Sequence, residues 1–137
     1  MTAEDWFELA CDLEGCEPES ARDAYRRALE LDPEHVEAHV NLGRILHEEK
    51  SLAGAEAHYR MAIRGDPAHA TALFNLGVCS EDQGNPMGAV RFYRSAIESD
   101  PDMADAHMNL ALVYEQIGKP KLALRHLAIY RTLIGGG

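Results

Sequence analysis

The chain has 137 residues, of which 46% are hydrophobic, so it is long and apolar enough to form one folded domain with a continuous core. It carries 13 Lys and Arg against 23 Asp and Glu, and the net charge of -10 disfavours direct binding to nucleic acid or anionic membranes. No apolar run approaches the ~20 residues of a membrane span, and the acidic start of the chain does not resemble a signal peptide, so we expect a cytoplasmic protein.

The sequence repeats with a period of 34 residues, which is visible first in three Asp-Pro pairs beginning at Asp32, Asp66 and Asp100. Other columns keep the same register, and they consist of alanines, tyrosines and asparagines: Ala21, Ala55, Ala89 and Ala123; Tyr25, Tyr59 and Tyr93; Asn41, Asn75 and Asn109. A period of this length predicts tandem copies of one small structural unit.

Four repeats are predicted, at approximately residues 3–33, 34–67, 68–101 and 102–134. A flexible glycine tail is predicted at residues 135–137. Small and apolar residues recur three and four positions apart within each unit, which predicts two amphipathic helices per unit and about eight in all. First helices should end near Gly84 and Gly118, because glycine readily adopts the left-handed conformation that closes a helix. Lys50 takes the equivalent place in the second repeat, so the backbone of that turn should be the least favourable of the set. Second helices should end at Asp-Pro, since proline disfavours helical geometry in the residue before it.

These columns resemble the tetratricopeptide repeat family, whose pattern has a large residue, Leu-Gly and Tyr in the first helix and Ala, an aromatic residue, Ala and Pro in the second. The units around Gly43 and Gly77 match almost throughout. The first repeat has Trp6 in the large-residue position, but its turn is shorter by one residue. The fourth repeat departs from the pattern at Tyr130, where alanine is usual. The resemblance implies an all-α fold: a right-handed superhelical α-solenoid of antiparallel helix pairs, forming one domain over residues 1–134.

The resemblance also places ligands on a concave groove lined mainly by the first helix of each pair. Subtracting the core positions leaves these groove residues: Phe7, Val40, Asn41, Arg44, Phe74, Asn75, Val78, Met108, Asn109 and Leu112. An apolar stripe can receive the side chains of a peptide, while the carboxamides beside it can bond to its backbone. The alternative for the asparagines is structural, namely that they hold adjacent repeats together. We expect a protein-interaction module, an adaptor or scaffold that binds a peptide or helix of a partner protein.

The placement of charge indicates the kind of partner. Among the 13 basic residues only Arg44 lies within a predicted first helix, with Lys50 at the end of that helix, whereas 12 of the 23 acidic residues lie in first helices. The groove side should therefore be acidic and should attract a protein or peptide with apolar anchors and some basic residues. The alternative is that these acidic residues only keep an exposed face soluble.

Nothing in the sequence indicates catalysis, a cofactor or a metal. The chain has no Gly-rich phosphate loop and no nucleophile in a recognisable setting. His35 and His39 have the spacing of two metal ligands on one helical face, but no third ligand has an obvious place, and His39 fills the large-residue position, which favours packing. Three cysteines cannot all pair within one chain, which indicates free thiols in a reducing compartment.

The last predicted helix, at residues 121–134, is apolar around much of its circumference. An apolar end of a helix stack predicts either a covering element outside this chain or a homodimer formed through Leu124, Ile129, Tyr130 and Leu133. The sequence therefore leaves three alternative functions open: a peptide-binding adaptor, a structural oligomerisation unit, and a recruiting or regulatory module of a larger enzyme or transcription regulator.

Overall fold

The computed structural model describes residues 1–135, and all of its regular secondary structure there is α-helical. The eight helices are α1 (Ala3–Leu13), α2 (Pro18–Leu31), α3 (Val36–Glu48), α4 (Leu52–Gly65), α5 (Ala70–Asp82), α6 (Pro86–Ser99), α7 (Ala104–Gln116) and α8 (Pro120–Gly135). The predicted all-α class is thereby confirmed. Gly135 is the last residue of α8, whereas Gly136 and Gly137, the rest of the predicted glycine tail, lie outside the described residues.

The chain forms two compact units, each containing four helices. In unit 1, Met1–Pro67, α1 packs against α2, α3 packs against α4, and α2 packs against α3. Unit 2 begins at Ala68 and repeats this arrangement with α5 on α6, α7 on α8 and α6 on α7. The columns of alanine, tyrosine and leucine supply both cores, with Ala10, Tyr25, Ala28 and Leu42 in one and Ala89, Tyr93, Leu110 and Ala123 in the other.

The helix ends fall where glycine and proline predict them. Asp32, Asp66 and Asp100, each followed by proline, are the C-caps of α2, α4 and α6. The first helices α5 and α7 are followed by Gly84 and Gly118, whose φ angles of 75° and 78° lie in the left-handed region. Both predictions from the sequence are confirmed.

Lys50 occupies the same left-handed turn after α3, with a φ of 66° and an exposed side chain. Replacing Lys50 by glycine is expected to raise the free energy of unfolding by about 1 kcal/mol, because the left-handed region costs most L-residues about 1–2 kcal/mol and costs glycine little. The greater freedom of glycine in the unfolded chain offsets part of this gain. Urea unfolding followed by circular dichroism measures the change.

The reverse exchange, Gly118→Lys, provides the matched control and should lower the free energy of unfolding by a similar amount. A Lys50→Gly protein that is less stable than the parent would contradict the strain assigned to this turn.

Two glycines allow the helices of a pair to approach closely. A Cβ atom built on Gly43 would lie 2.7 Å from Cε1 of Tyr59, and one built on Gly77 would lie 2.5 Å from Cε1 of Tyr93. Carbon atoms do not approach this closely without repulsion, so each glycine makes room for the tyrosine ring of the following helix. In the second of these pairs, the Tyr93 hydroxyl reaches Glu81 near the end of α5.

Candidate functional site

The first helices of unit 2 carry a partly exposed apolar surface. Phe74 and Val78 on α5 and Met108 on α7 are half-buried, while Leu112 on α7 is 47% exposed. Phe74 and Val78 pack against the core of this unit, and the Phe74 ring lies 5.6 Å from the ring of Tyr93. Together with the half-buried Asn75 and Asn109, these residues define what we call the unit 2 face: Phe74, Asn75, Val78, Met108, Asn109 and Leu112.

The hydroxyl of Tyr93 links three helices beneath this face. Tyr93, on α6, donates a hydrogen bond to the Glu81 carboxylate at the end of α5. In return Nδ2 of Asn109, on α7, donates to the Tyr93 hydroxyl at 3.4 Å. Burial and the adjacent Glu81 carboxylate raise the pKa of the Tyr93 phenol, so this hydroxyl stays protonated and remains a donor.

Unit 1 contains the same arrangement with one residue added. Tyr25 donates to Oε1 of Glu14 at 2.6 Å, and Nδ2 of Asn41 donates to the Tyr25 hydroxyl at 3.1 Å. The added residue is Arg44, whose Nη2 lies 2.7 and 2.8 Å from the two carboxylate oxygens of Glu14. Burial and the Glu14 carboxylate raise the pKa of the Tyr25 phenol, just as burial and Glu81 do for its counterpart in unit 2.

The other predicted groove residues of unit 1 are less exposed than the sequence indicated. Val40 is only 4% exposed, which is the burial of a core residue rather than of a surface contact. Phe7 is half-buried, with its ring 5.9 Å from that of Tyr25 and 4.8 Å from that of His35. The Arg44 charge is engaged by Glu14 and by Glu48, whose Oε1 lies 3.7 Å from Nη1 of Arg44.

Asn41 and Asn109 bond to a tyrosine of the preceding helix pair through their amide nitrogens. These contacts agree with the structural role considered for the asparagine column. Binding of a peptide backbone by the asparagines stays a prediction.

Charge differs between the first helices of the two units. In unit 2, neither α5 nor α7 contains a lysine or arginine, although together they carry four acidic residues: Glu81, Asp82, Asp105 and Glu115. In unit 1 the Arg44 guanidinium lies among the acidic residues and offsets part of their charge. The unit 2 face therefore combines exposed apolar area with helices that carry acidic residues and neither lysine nor arginine.

Each unit also contains a hydrogen-bonded pair of histidines that the sequence did not predict. In unit 1, Nδ1 of His39 lies 3.0 Å from Nδ1 of His58, and Nε2 of His39 lies 2.7 Å from the Pro33 carbonyl oxygen. Unit 2 repeats this geometry in His107 and His126, again with a distance of 3.0 Å between the two Nδ1 atoms. The signal in the sequence is a His-His separation of 19 residues that occurs in both units.

Metal-ligating side chains do not gather into a site within residues 1–135, since no three His, Cys, Asp or Glu side chains are grouped as a metal ion requires. In the same part of the chain, none of the helices combines the length and apolar character needed to cross a bilayer. The Cys11 and Cys16 thiols are exposed and the Cys79 thiol is buried, and none of the three forms a disulfide within these residues.

The residues predicted to mediate self-association lie on α8. Leu124 is 66% exposed, whereas Ile129, Tyr130 and Leu133 are half-buried. Self-association through them stays a prediction.

A sequence profile of the tetratricopeptide repeat matches residues 17–70, 59–99 and 80–133. The chain belongs to the tetratricopeptide repeat family. The resemblance read from the repeated columns is thus confirmed. Tetratricopeptide repeats and other solenoid proteins use their stacked units as binding surfaces, so the general class of function is protein interaction.

Solved structures share this tetratricopeptide repeat fold. A crystal structure of MamA matches with a TM-score of 0.90 and 21% identity, over 98% of this chain and 79% of the MamA chain. MamA from Desulfovibrio magneticus RS-1, from residue 41 to its end, gives a TM-score of 0.86 and 20% identity, with coverages of 98% and 76%. Pseudomonas aeruginosa pilF gives a TM-score of 0.90 and 20% identity over 96% of this chain and 60% of its own. At such identities the likeness shows the fold alone. A search of curated proteins by sequence found no match.

Proposed function

We propose that the chain is a non-catalytic protein-interaction module that binds a peptide or helix of a partner protein on the unit 2 face. The observation that carries the proposal is an apolar surface on helices that have acidic residues and neither lysine nor arginine. Leu112 is 47% exposed beside the half-buried Phe74, Val78 and Met108, and α5 and α7 contain no Lys or Arg. Such a surface favours apolar anchors flanked by basic residues, because burial of apolar area supplies affinity and complementary charge supplies specificity.

Unit 1 supports this role less strongly. Its Val40 is buried, so it offers less apolar area to a partner, and the carboxylate of Glu14 is already occupied by Arg44. We therefore propose that unit 2 supplies most of the binding energy and that Phe7 and Arg44 contribute less.

Selection of random displayed peptides on the whole chain tests the proposal. Peptides with apolar and basic residues should be enriched, and the variant Leu112→Gln should bind them about tenfold more weakly, because a buried leucine side chain contributes about 1.5–3 kcal/mol. Met87→Gln provides the matched control: Met87 is 59% exposed on α6, outside the unit 2 face, and its loss should leave affinity unchanged. Selection that enriches no peptide, or peptides that bind Leu112→Gln as tightly as the parent, would remove the proposal.

A second candidate function is self-association through α8. It is favoured by the exposure of Leu124 and Ile134, which are 66% and 61% exposed. Sedimentation equilibrium separates the two functions, since a chain that stays monomeric at high concentration excludes a dimer and leaves peptide binding untouched.

A further inference from the structure

We infer that the Glu81 carboxylate binds an arginine side chain of the partner, with the aliphatic part of that side chain lying against Leu112. The inference rests on the proposed function and names the chemistry that the unit 2 face recognises. Its basis is a comparison between two equivalent places in the same chain.

Those two places are defined by the tyrosine hydroxyls. Glu14 accepts from Tyr25 in unit 1, as Glu81 accepts from Tyr93 in unit 2. Asparagines donate to the same hydroxyls, and Arg44 follows its asparagine by three residues, as Leu112 follows Asn109. Leu112 therefore stands where unit 1 has an arginine.

The unit 1 arrangement shows what this geometry accepts. Both carboxylate oxygens of Glu14 accept hydrogen bonds from Nη2 of Arg44, at 2.7 and 2.8 Å. Oε1 of Glu14 also accepts a hydrogen bond from the Tyr25 hydroxyl. These short, charge-assisted bonds are the strong kind, and in unit 1 it is the guanidinium of an arginine that forms them. A carboxylate held in the same way by a tyrosine is oriented for the same ligand.

Glu81 has no cation of its own within the part of the chain that the structure describes. Its hydrogen-bond partner there is Tyr93, and no Lys, Arg or His of residues 1–135 forms an ion pair with it. The half-buried Val78 and Phe74 and the exposed Leu112 supply apolar surface for the methylene groups of an incoming arginine. Complementary charge and apolar packing thus favour the same side chain.

The test uses a peptide selected on the whole chain that contains an arginine, and a copy in which citrulline replaces that arginine. Citrulline keeps the shape and removes the charge. The parent chain should bind the citrulline peptide about tenfold more weakly, and Glu81→Gln should weaken the arginine peptide to a similar extent. In Glu81→Gln, exchanging arginine for citrulline should make little further difference, because the two changes remove one contact.

Glu115→Gln separates a direct contact from a general effect of charge. It removes one acidic charge from an exposed position on α7, and its effect should add to that of citrulline instead of cancelling it. The carboxamide introduced by Glu81→Gln can still accept the Tyr93 hydrogen bond, and thermal unfolding of that variant checks that the fold is kept.

Leu112→Arg places an internal arginine where unit 1 has Arg44. In this variant the arginine and citrulline peptides should bind equally, whereas Leu112→Gln should keep the roughly tenfold preference for arginine. A preference for arginine that persists in Leu112→Arg or in Glu81→Gln overturns the inference. Selected peptides that depend on Leu112 but contain no arginine also overturn it and leave the proposed function standing; selection without any enriched peptide removes both.

Discussion

Replacing Tyr93 by alanine should lower the free energy of unfolding by about 3–5 kcal/mol, the range found for large buried aromatic residues. The Tyr93 side chain is fully buried, at 0% exposure, and its hydroxyl joins α5 to α7 through Glu81 and Asn109. Its removal leaves a cavity beside Gly77, which has no side chain to fill the space. Urea unfolding measured by circular dichroism gives the loss, and a change below about 1 kcal/mol would contradict the packing described.

The contact between Gly77 and Tyr93 gives a second readout of the same site. Gly77→Ala alone should be destabilising, since a Cβ atom 2.5 Å from the ring overpacks the pair at a cost of about 1–3 kcal/mol, against a gain of about 1 kcal/mol in helix propensity. In the Tyr93→Ala background the clash is gone, so Gly77→Ala should become stabilising. Gly43→Ala, whose clash is with Tyr59, is the control and should cost the same in both backgrounds.

Acidification should destabilise the protein through His58 and His126, one histidine of each pair. Burial lowers the pKa of His58, and His39 and Arg26 add to this effect; burial likewise lowers the pKa of His126, reinforced by His107 and Arg125. A lowered pKa means that the unfolded chain binds protons more readily than the folded one. The stability that these histidines contribute is therefore fully present above their unfolded pKa of about 6.5 and is lost as the pH falls below it.

The hydrogen bonds of each pair assign one histidine as the donor and the other as the acceptor. The Pro33 carbonyl can only accept, so Nε2 of His39 carries a hydrogen and Nδ1 of neutral His39 accepts from His58. Replacing His58 and His126 by asparagine keeps a donor near the Nδ1 position and removes the titrating group. We expect the free energy of unfolding of this double variant to depend less steeply on pH between about 7 and 5 than that of the parent. An unchanged slope would assign the acid sensitivity to other groups.

The fold could be predicted from the sequence because its determinants are local and recur at a fixed spacing along the chain. Gly84, Gly118 and Lys50 marked the ends of first helices, and the Asp-Pro pairs marked the ends of second helices, since each signal acts through the backbone of a single residue. The N-caps of α3 and α5 were not predicted. There the side chains of His35 and His69 accept from the backbone, a role that Ser, Thr, Asp and Asn fill more often.

The candidate site could be predicted only in part, because its chemistry depends on contacts among three helices. The sequence placed Phe74 and Leu112 in first helices but gave no reason to separate Glu81 from the other acidic residues. Its partner Tyr93 is 12 residues away, and the contact forms only because Gly77 lets that ring lie close to α5. Val40 was assigned to the groove from its place in the pattern, and only the packed helices show that its side chain is buried.

The equivalence of Arg44 and Leu112 means that the residue at this one position determines whether a glutamate is paired with an internal arginine or has no internal cation. In unit 2 the Tyr93 hydroxyl bonds to Glu81 and Asn109 and not to Leu112, so Leu112 can be exchanged without removing a hydrogen bond that joins these helices. Exchange of the residue at this position is therefore expected to change whether the neighbouring carboxylate can bind an arginine of a partner.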